Sequence, residues 1–470
     1  MKILLIKPLL NSDCDLLLEP PLGLLYISAF LKSHGYQDIK VIHMDAPRLD
    51  LEGLRAFVLD YGPDLVGLST SLSEAKGMHN VAALMKEIVP KVVVVAGGPH
   101  PTADPEDVLK DGFVDVAVIG EGEEPFLEIV KHLGDTKAYS NIAGIAFRSN
   151  GGMIKTQKSE PIADLDALPY PDWGAIDASV YRNFLRMCRA VYGFVSMPIF
   201  TSRGCPFYCT YCHNIFGKKF RAHSAARVLE EIQILYDHFG IRHFEIVDDI
   251  FNFDRKRIID IMQGIISRKL DIRLYFPNGL RFDMLDEEVI ELLAKAGTVF
   301  ISVAVETASQ RLQKRIKKNV NLQKVKKLII FAAKKGIYLN GFFMIGFPDE
   351  TWQEMMQTIR YAVSSRLHSV YFFFVHPFKG TVLGEEIEKS GKKTASYQNT
   401  INYIMLTHRS LTCSLLSVAQ LRFVFYIAIL LFYGTPSRLF RIIRDFPSKK
   451  VIMRIFYDAI KRLVFNTRIS

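Results

Sequence analysis

The sequence predicts an α/β protein made of two parallel-sheet domains followed by a helical region. From residue 1 to about 135, short β-branched runs alternate with amphipathic stretches of helical period, as in a doubly wound parallel sheet. A second alternating series of six strand–helix units occupies about 195–380, which suffices for a partial barrel but not for a closed eight-fold one. Beyond it the periodicity is helical and increasingly basic.

Individual elements of the first series are bounded by glycine and proline. The runs LVGLST and KVVVVAGG are almost wholly apolar, as central strands covered on both faces should be. A hairpin is expected within 141–160, around Ser149-Asn150-Gly151-Gly152, and the proline-rich stretch 168–173 reads as a linker. The predicted organisation is therefore a sheet domain at 1–135, a hairpin and linker at 136–194, a partial barrel at 195–380 and a helical region at 381–470.

Composition excludes several classes of protein. Hydrophobic residues make up 49% and charged residues 23%, which excludes a disordered chain. Six cysteines, three of them within eight positions, favour a metal site in a reducing compartment over a disulfide scaffold. The apolar run at the N-terminus is too short for a signal peptide, so a cytoplasmic location is expected.

The helical region carries most of the net charge of +10, since residues 435–470 contain nine basic and two acidic side chains. Its most apolar stretch, Phe423 to Tyr433, is too short to span a membrane and predicts a buried helix. In the next helix, arginines at i, i+3 and i+6 predict a solvated face over a packed apolar stripe, with a peripheral membrane contact as the alternative. The residues concerned are Arg438, Arg441 and Arg444, with Leu439, Phe440, Ile442 and Ile443 between them.

Three cysteines follow the first strand of the second series in the segment CPFYCTYC. Cys205, Cys209 and Cys212 can reach one metal centre from a single loop. One interpretation is a closed zinc site with His213 as fourth ligand. The other is an iron–sulfur cluster with three cysteine ligands and one iron left open. Isolated Cys14, Cys188 and Cys413 are expected to be ordinary packed or surface thiols.

This segment resembles the CxxxCxxC motif of radical S-adenosylmethionine enzymes, and the six strand–helix units resemble the partial barrel of that family. The resemblance implies that Cys205, Cys209 and Cys212 hold a [4Fe-4S] cluster whose open iron binds S-adenosylmethionine. It also implies an external one-electron reductant such as flavodoxin or ferredoxin, and a 5′-deoxyadenosyl radical as product. The S-adenosylmethionine contacts that it implies are Tyr211, Asp248, Glu306 and Gly346.

Three loops follow predicted strands of the first series, at the sheet edge where ligands of such folds bind. They consist of Ser69-Thr70-Ser71, Gly97-Gly98-Pro99-His100 and Gly120-Glu121-Gly122-Glu123. Glycine there lets a flat macrocycle approach the backbone, although it could serve tight turns alone.

Together with PPLGLLY, these loops resemble the cobalamin-binding domain that often precedes the radical barrel. No Asp-x-His-x-x-Gly motif is present. The resemblance therefore implies cobalt bound without an axial histidine, with His100 contacting the corrin periphery or capping the following helix.

The resemblance implies a cobalamin-dependent methyltransferase acting on an unactivated carbon. One S-adenosylmethionine would methylate cob(I)alamin, another would generate the radical, and methylcobalamin would donate its methyl group to the substrate radical. The alternatives are a cyclase or rearrangement enzyme resembling anaerobic magnesium-protoporphyrin monomethyl ester cyclase, an RNA-modifying relative of the methylthiotransferases, and a non-catalytic corrinoid or zinc protein. The expected partner is a small or lipid-like molecule and not nucleic acid.

Overall fold

The computed structural model describes residues 1–9, 19–46, 48–149, 152–184, 188–213, 215–391, 413–453 and 457. The chain divides into two compact units. The first contains Met1–Tyr181 and His213–Arg221, and the second contains Arg182–Cys212, Ala222–Thr394 and the C-terminal helices. The α/β class expected from the sequence is confirmed in both units.

The first unit is built on a seven-stranded sheet of order β2-β1-β3-β4-β5-β6-β7, in which β1 to β5 are parallel and the last two strands antiparallel. The strands are β1 (Ile3–Lys7), β2 (Ile39–His43), β3 (Leu65–Ser69), β4 (Val93–Gly97), β5 (Val116–Val118), β6 (Ile145–Ser149) and β7 (Gly152–Lys155). The helices are α1 (Leu22–Ser33), α2 (Leu51–Tyr61), α3 (Ala75–Ile88), α4 (Pro99–Ala103), α5 (Pro105–Leu109), α6 (Glu123–Lys131) and α7 (Thr136–Tyr139).

Helices cover both faces of this sheet and form two separate cores. One core packs Leu54 of α2 and Met85 of α3 against alternate strand residues. The other packs Leu31 of α1 and Phe126 of α6 against the intervening strand residues, which point to the opposite face of the sheet. Because both faces are dry, the central strands must be apolar throughout, as the sequence predicted.

The predicted hairpin is present, but it extends the sheet instead of lying in a linker. Strand β6 pairs antiparallel with β5, with Val116 opposite Phe147. Ile145, Ala146 and Phe147 are buried in the first unit. The sequence indicated the turn, whereas the pairing with a distant strand is a non-local contact that periodicity does not reveal.

The second unit contains a six-stranded parallel sheet of order β15-β14-β13-β12-β11-β8, the open partial barrel expected from the sequence. Its strands are β8 (Ser196–Ile199), β11 (His243–Ile246), β12 (Arg273–Leu280), β13 (Thr298–Glu306), β14 (Tyr338–Ile345) and β15 (Ser369–Phe374), and two short strands, β9 (Ser202–Arg203) and β10 (Arg221–Ala222), flank the cysteine loop in sequence. The helices are α8 (Ala225–His238), α9 (Arg255–Ser267), α10 (Glu287–Lys295), α11 (Gln310–Arg315), α12 (Leu322–Lys334), α13 (Trp352–Ser364), α14 (Val382–Lys389), α15 (Val418–Tyr433) and α16 (Pro436–Asp445).

Helix α15 covers the edge strand β15. The Val370 amide donates to the Tyr433 hydroxyl at 3.1 Å, and that hydroxyl donates back to the Val370 carbonyl at 3.4 Å. An edge strand otherwise exposes unpaired backbone groups. The Tyr433 hydroxyl therefore satisfies the hydrogen bonds of one residue on the open edge of the barrel. Within the described ranges, no single helix is long and apolar enough to span a membrane. Helices α15 and α16 pass that test only as a pair, with a 74° bend between them.

Two predictions about these C-terminal helices hold only in part. One side of α15 is buried, through Leu421, Val424, Ala428 and Phe432, whereas Phe423 and Tyr426 are exposed. In α16 Ile442 is buried and Arg444 exposed as expected, but Arg438 is buried while Leu439, Phe440 and Ile443 are exposed. Spacing alone identifies two faces of a helix but does not determine which face packs inward.

Candidate active site

The cysteine loop begins directly after β9 and is tied to the barrel through its backbone. The Thr210 amide donates to the Ile316 carbonyl at 3.1 Å, and the Leu383 amide donates to the Thr210 carbonyl at 2.8 Å. Cys205, Cys209 and Cys212 are half-buried and form no disulfide. The loop therefore presents three thiols from one short, anchored segment at the carboxyl end of the sheet.

The donor set of the loop is three thiols. Among the described residues, no three His, Cys, Asp or Glu side chains, the three cysteines included, converge on the position of a single metal ion. Burial, followed by the nearby Asp249, Cys209 and Cys205, raises the pKa of the Cys212 thiol to about 12. Three cysteines on one loop fit an iron–sulfur cluster that keeps one iron open.

Asp248, expected from the sequence to contact S-adenosylmethionine, is occupied by hydrogen bonds to the strand that leads into the cysteine loop. Its carboxylate accepts from the Thr201 amide and hydroxyl at 2.6 and 2.5 Å, and from the Ser202 hydroxyl at 2.6 Å. Burial raises the pKa of this carboxyl group. Arg257 binds the same strand end by donating to the Thr201 carbonyl at 2.6 Å. The geometry makes Asp248 a residue that positions the loop.

Glu306 ends β13 and forms a buried ion pair with Lys318. The Lys318 ammonium lies 2.9 Å from Glu306 Oε1 and donates to the Tyr211 hydroxyl at 3.3 Å. Glu306 has φ 66°, an uncommon left-handed conformation for a non-glycine residue. This places a carboxylate, an ammonium and a phenol together, directly beside the cysteine loop.

The charges of this group depend on one another. Burial disfavours the ammonium, but Glu306 and Cys209 outweigh it and raise the pKa of Lys318. Burial, and next the Glu306 carboxylate, raises the pKa of Tyr211 well above its usual value, so the phenol keeps its proton. Lys318 was not predicted from the sequence, because it lies in a run of basic residues in which no local pattern distinguishes the buried lysine from its exposed neighbours.

Gly346 lies in the turn after β14, with φ 92°. A Cβ there would come within 3.3 Å of Leu421, so packing against α15 also requires glycine. The amides of Gly346 and Phe347 donate to Glu350 Oε2 at 2.6 and 3.2 Å, and burial raises the pKa of Glu350 to about 7. Phe347 in turn packs edge-on against Tyr211. Glu350, missed from the sequence, thus fixes a turn that supports the cysteine loop.

Aromatic side chains line the face of β14 and β15 opposite the helices. Phe343 stacks on Phe372 and contacts Tyr361 of α13, so the alternate residues face the barrel interior. There Asn340 accepts a hydrogen bond from Ser369 at 2.8 Å, while its buried Nδ2 has no partner. The interior aromatic residues above it are half-buried and pack against one another: Phe342, Tyr371 and Phe373.

In the first unit, the three predicted loops meet at one edge of the sheet. The Thr70 amide donates to the Gly97 carbonyl at 2.9 Å, and the His100 amide donates to the Thr70 carbonyl at 3.1 Å. The Gly120 amide donates to the Thr102 hydroxyl at 3.0 Å. Gly98, with φ 105°, allows this close approach, since a Cβ would lie 2.9 Å from the Thr70 oxygen.

Glycines leave the backbone of these loops accessible. A Cβ added at Gly120 would meet nothing within 4 Å, and one at Gly97 would meet only Val118, at 3.7 Å. Gly122 faces Ile27 at 3.3 Å, and Pro99 starts α4. A planar macrocycle can therefore approach the backbone at Gly97 and Gly120, so these loops fit cobalamin.

Several polar side chains of the same loops already have protein partners. Ser71 forms a capping box with Glu74, and buried Glu123 lies in the first turn of α6. His100 Nε2 lies 3.0 Å from Asp107, and Glu121 is paired with Arg221. These contacts orient the loops. His100 lies within α4 and does not cap it, since Gly98 is the N-cap residue and α4 has no side-chain cap.

Two family models match the chain in the order expected from the sequence. The B12 binding domain model matches residues 13–130, and the Radical SAM superfamily model matches residues 199–362.

Three curated relatives align with most of the chain. The uncharacterized methyltransferase PH0819 of Pyrococcus horikoshii is 32% identical over 82% of this chain and 83% of its own length. Cytidylyl-2-hydroxyethylphosphonate methyltransferase of Streptomyces wedmorensis is 29% identical, over 79% and 78%. Anaerobic magnesium-protoporphyrin IX monomethyl ester cyclase of Rubrivivax gelatinosus is 30% identical, over 73% and 62%.

Solved structures share the fold. The radical S-adenosylmethionine methyltransferase TsrM from Kitasatospora setae, with cobalamin and a [4Fe-4S] cluster bound, has a TM-score of 0.68 at 18% identity and covers 84% of this chain and 76% of its own. The cobalamin-dependent S-adenosylmethionine radical enzyme OxsB, with aqua-cobalamin and S-adenosylmethionine bound, scores 0.67 at 18% identity, over 91% and 61%. The chain belongs to the cobalamin-dependent radical S-adenosylmethionine enzymes.

Proposed function

We propose that this protein transfers a methyl group to an unactivated carbon of a small or lipid-like molecule. The observation that carries the proposal is the three-cysteine loop beside the buried group of Glu306, Lys318 and Tyr211. It is supported by the methyltransferase names of the first two relatives. When bound, the cluster and S-adenosylmethionine supply a carbon-centred radical, and cobalamin supplies the methyl group.

Glu306 and Lys318 match the two charges at the methionine end of S-adenosylmethionine. The carboxylate of Glu306 complements its ammonium, and the ammonium of Lys318 complements its carboxylate. Both protein groups are almost wholly buried, so each charge needs a partner. A zwitterion bound between them would replace the single ion pair by two ion pairs and leave no buried charge without a partner. In this proposal Asp248 and Glu350 are positioning residues, since each holds a backbone segment that supports the cysteine loop.

The interior face of β14 and β15 suits a substrate with an apolar body and at least one hydrogen-bond acceptor. Phe342, Tyr371 and Phe373 offer half-buried aromatic surface. The buried amide of Asn340 has a donor without a partner, and a buried donor of this kind favours an acceptor by about 1–3 kcal/mol. The proposal also includes an external one-electron reductant, such as flavodoxin or ferredoxin, and a reducing, cytoplasmic location for the thiols.

The experiment is an anaerobic incubation of the loaded enzyme with reductant, host metabolite extract and S-adenosylmethionine carrying a CD3 group. A product heavier than its precursor by the labelled methyl group, together with 5′-deoxyadenosine, supports methyl transfer. Lys318→Met is expected to abolish both products, while Lys324→Met, at an exposed lysine of α12, leaves them unchanged.

A cyclase or rearrangement enzyme is the second candidate, because the Rubrivivax cyclase is 30% identical over 73% of the chain. The same incubation separates the two. A new product that lacks the label, formed together with 5′-deoxyadenosine, would replace the methyltransferase proposal by this one. Failure to form 5′-deoxyadenosine with any extract would contradict both.

A further inference from the structure

The exposed apolar surface of this protein is concentrated in its C-terminal helices. Of the 23 large hydrophobic residues that are exposed in the described part of the chain, ten lie between residues 415 and 457. They are Leu415, Phe423, Tyr426, Leu430, Leu431, Leu439, Phe440, Ile443, Met453 and Tyr457. Scattered single hydrophobic residues on a surface are ordinary, but a dense group of this kind marks an interaction site.

Helix α15 is apolar on both sides. Its inner side packs through Leu421, Val424, Ala428 and Phe432. Its outer side carries Phe423, Tyr426 and Leu430, which are 61%, 62% and 72% exposed and spaced i, i+3 and i+7. A surface helix normally carries polar side chains there.

In α16 the arginine that the sequence placed outside is turned inward. The Arg438 guanidinium donates to the carbonyls of Phe432, Val363 and Ser365 at 2.9, 2.6 and 3.1 Å, and it stacks on the Phe432 ring at 3.7 Å. Four contacts fix this orientation. Since Arg438 and Ile442 face inward, α16 presents three other apolar residues outward.

These three residues are Leu439, Phe440 and Ile443, of which Phe440 is 64% exposed. Together with Phe423, Tyr426 and Leu430, these residues make up what we call the C-terminal apolar face.

Basic side chains accompany these helices. Apart from the inward-turned Arg438, residues 413–453 contain five Lys and Arg residues and one acidic residue, Asp445. Lys449 and Lys450 are exposed directly after α16, where the Lys449 ammonium donates to two carbonyls at the helix end, and the exposed Arg444 pairs with Asp445. A symmetric contact between two copies would bring these like charges together, whereas an anionic lipid surface neutralises them.

We propose that the C-terminal apolar face docks on an anionic lipid surface, with Lys449 and Lys450 at the headgroups and Phe440 inserted below them. Apolar side chains flanked by lysine and arginine are the signature of a helix that lies in the membrane interface. The docking is independent of the reaction, so it can fail or hold whatever the methyl-transfer experiment gives.

The test is co-sedimentation of the full-length holoenzyme with vesicles of phosphatidylglycerol and phosphatidylcholine, against vesicles of phosphatidylcholine alone. Binding is expected to the anionic vesicles at low salt and to weaken as salt is raised. Lys449→Gln with Lys450→Gln should weaken it about 25-fold, because each basic group strengthens binding about fivefold. Phe440→Ser with Ile443→Ser should weaken it by more than about tenfold.

Matched controls separate docking from general stickiness. Leu59→Ser and Trp352→Ser remove exposed apolar side chains elsewhere, from α2 and α13, and should leave vesicle binding unchanged. The Phe440 and Ile443 variant should melt at the wild-type temperature, since both side chains are exposed. Absence of binding at low salt would overturn the proposal. So would a concentration-dependent dimer that the same variant abolishes, because the second copy would then occupy the face.

Discussion

Glu306 and Lys318 are the charged side chains whose burial defines the site at the scale of single residues. Their side chains are 9% and 8% exposed, and the ion pair between them is 2.9 Å long. Removing a charge from water costs several kcal/mol, which the partner and its hydrogen bonds must offset. Each residue therefore depends on the other, and this dependence can be measured.

We expect Lys318→Met to lower the free energy of unfolding by about 3 kcal/mol or more, because it leaves the Glu306 carboxylate buried without its cation. Glu306→Gln in the same protein should restore most of the loss, since no uncompensated charge remains. The measurement is denaturant unfolding of both single variants and the double variant. Additive losses in the double variant would show that the two side chains do not stabilise each other.

Glu350 predicts a pH dependence of stability. Burial raises its pKa from 4.5 to about 7, so between these values the folded state binds a proton that the unfolded state has released. Stability is therefore expected to fall as pH rises from about 4.5 to about 7, by about 3 kcal/mol from this group, and to level off above. Glu350→Gln should remove this slope, as urea unfolding at several pH values would show.

Glu354, in the first turn of α13, is expected to have the opposite effect on the pH dependence of stability. Hydrogen bonds from Arg311 lower its pKa to about 2, against the effect of burial. Its stabilising contribution is present above pH 4.5 and is lost as pH falls toward 2. Glu354→Gln should therefore change the pH dependence of the unfolding free energy only below about pH 4.5. If both variants altered the same pH range, the assignment of the slope to Glu350 would be wrong.

At the scale of elements, the segment that follows the cysteine motif belongs to the first unit. Residues His213–Arg221 pack with Met1–Tyr181. Arg221 pairs with Glu121 through its two terminal guanidinium nitrogens, Nη1 and Nη2. The same two nitrogens donate to the Ile162 and Phe216 carbonyls at 2.6 and 3.0 Å. One buried arginine thus holds the segment against a loop of the B12-binding unit.

Glu121→Gln is expected to weaken this attachment by about 3 kcal/mol, because Arg221 stays buried with its charge uncompensated. The segment contains Lys218 and Lys219, so limited trypsin digestion should cut there faster in the variant. Arg255→Gln is the matched control, since it breaks only exposed ion pairs, with Asp286 and Glu288, and should cost about 1 kcal/mol or less. An unchanged digestion pattern in Glu121→Gln would show that the ion pair does not hold the segment.

At the scale of the whole molecule, the chain combines two sheets whose carboxyl edges carry different kinds of loop. The first edge is rich in glycine and backbone groups, and the second carries three thiols beside a buried ion pair. Open parallel sheets bind their ligands at this edge, beyond the carboxyl ends of the strands. This division explains why neither unit alone has the groups for the proposed reaction.

Anaerobically reconstituted protein is expected to hold about four iron atoms per chain, the content of one [4Fe-4S] cluster. Cys205→Ala, Cys209→Ala and Cys212→Ala should each lose most of this iron. Cys188→Ala and Cys413→Ala are the controls, because both thiols are buried in packed side chains and should leave the iron content unchanged. Tightly bound zinc in place of iron would refute the cluster.

The α/β class, the order of the two sheets and the cysteine loop can all be predicted from the sequence alone. These depend on local signals, namely the alternation of strand and helix periods and the spacing of three cysteines within eight positions. The sequence also placed the glycine loops at strand ends, and the structure brings them together, because parallel strands of one sheet end at the same edge.

The pairing of side chains and the choice of buried faces become visible only in the folded protein. Lys318 was indistinguishable from neighbouring lysines until folding brought it to Glu306, twelve positions earlier in the chain. The hairpin was predicted outside the sheet domain, and only the pairing of β6 with β5 makes it part of that sheet. The spacing of Arg438 predicts an exposed side chain, but in the fold it is buried and donates to three backbone carbonyls. Burial and ion pairing depend on residues that meet across the fold, and a single sequence encodes these contacts without displaying them as local patterns.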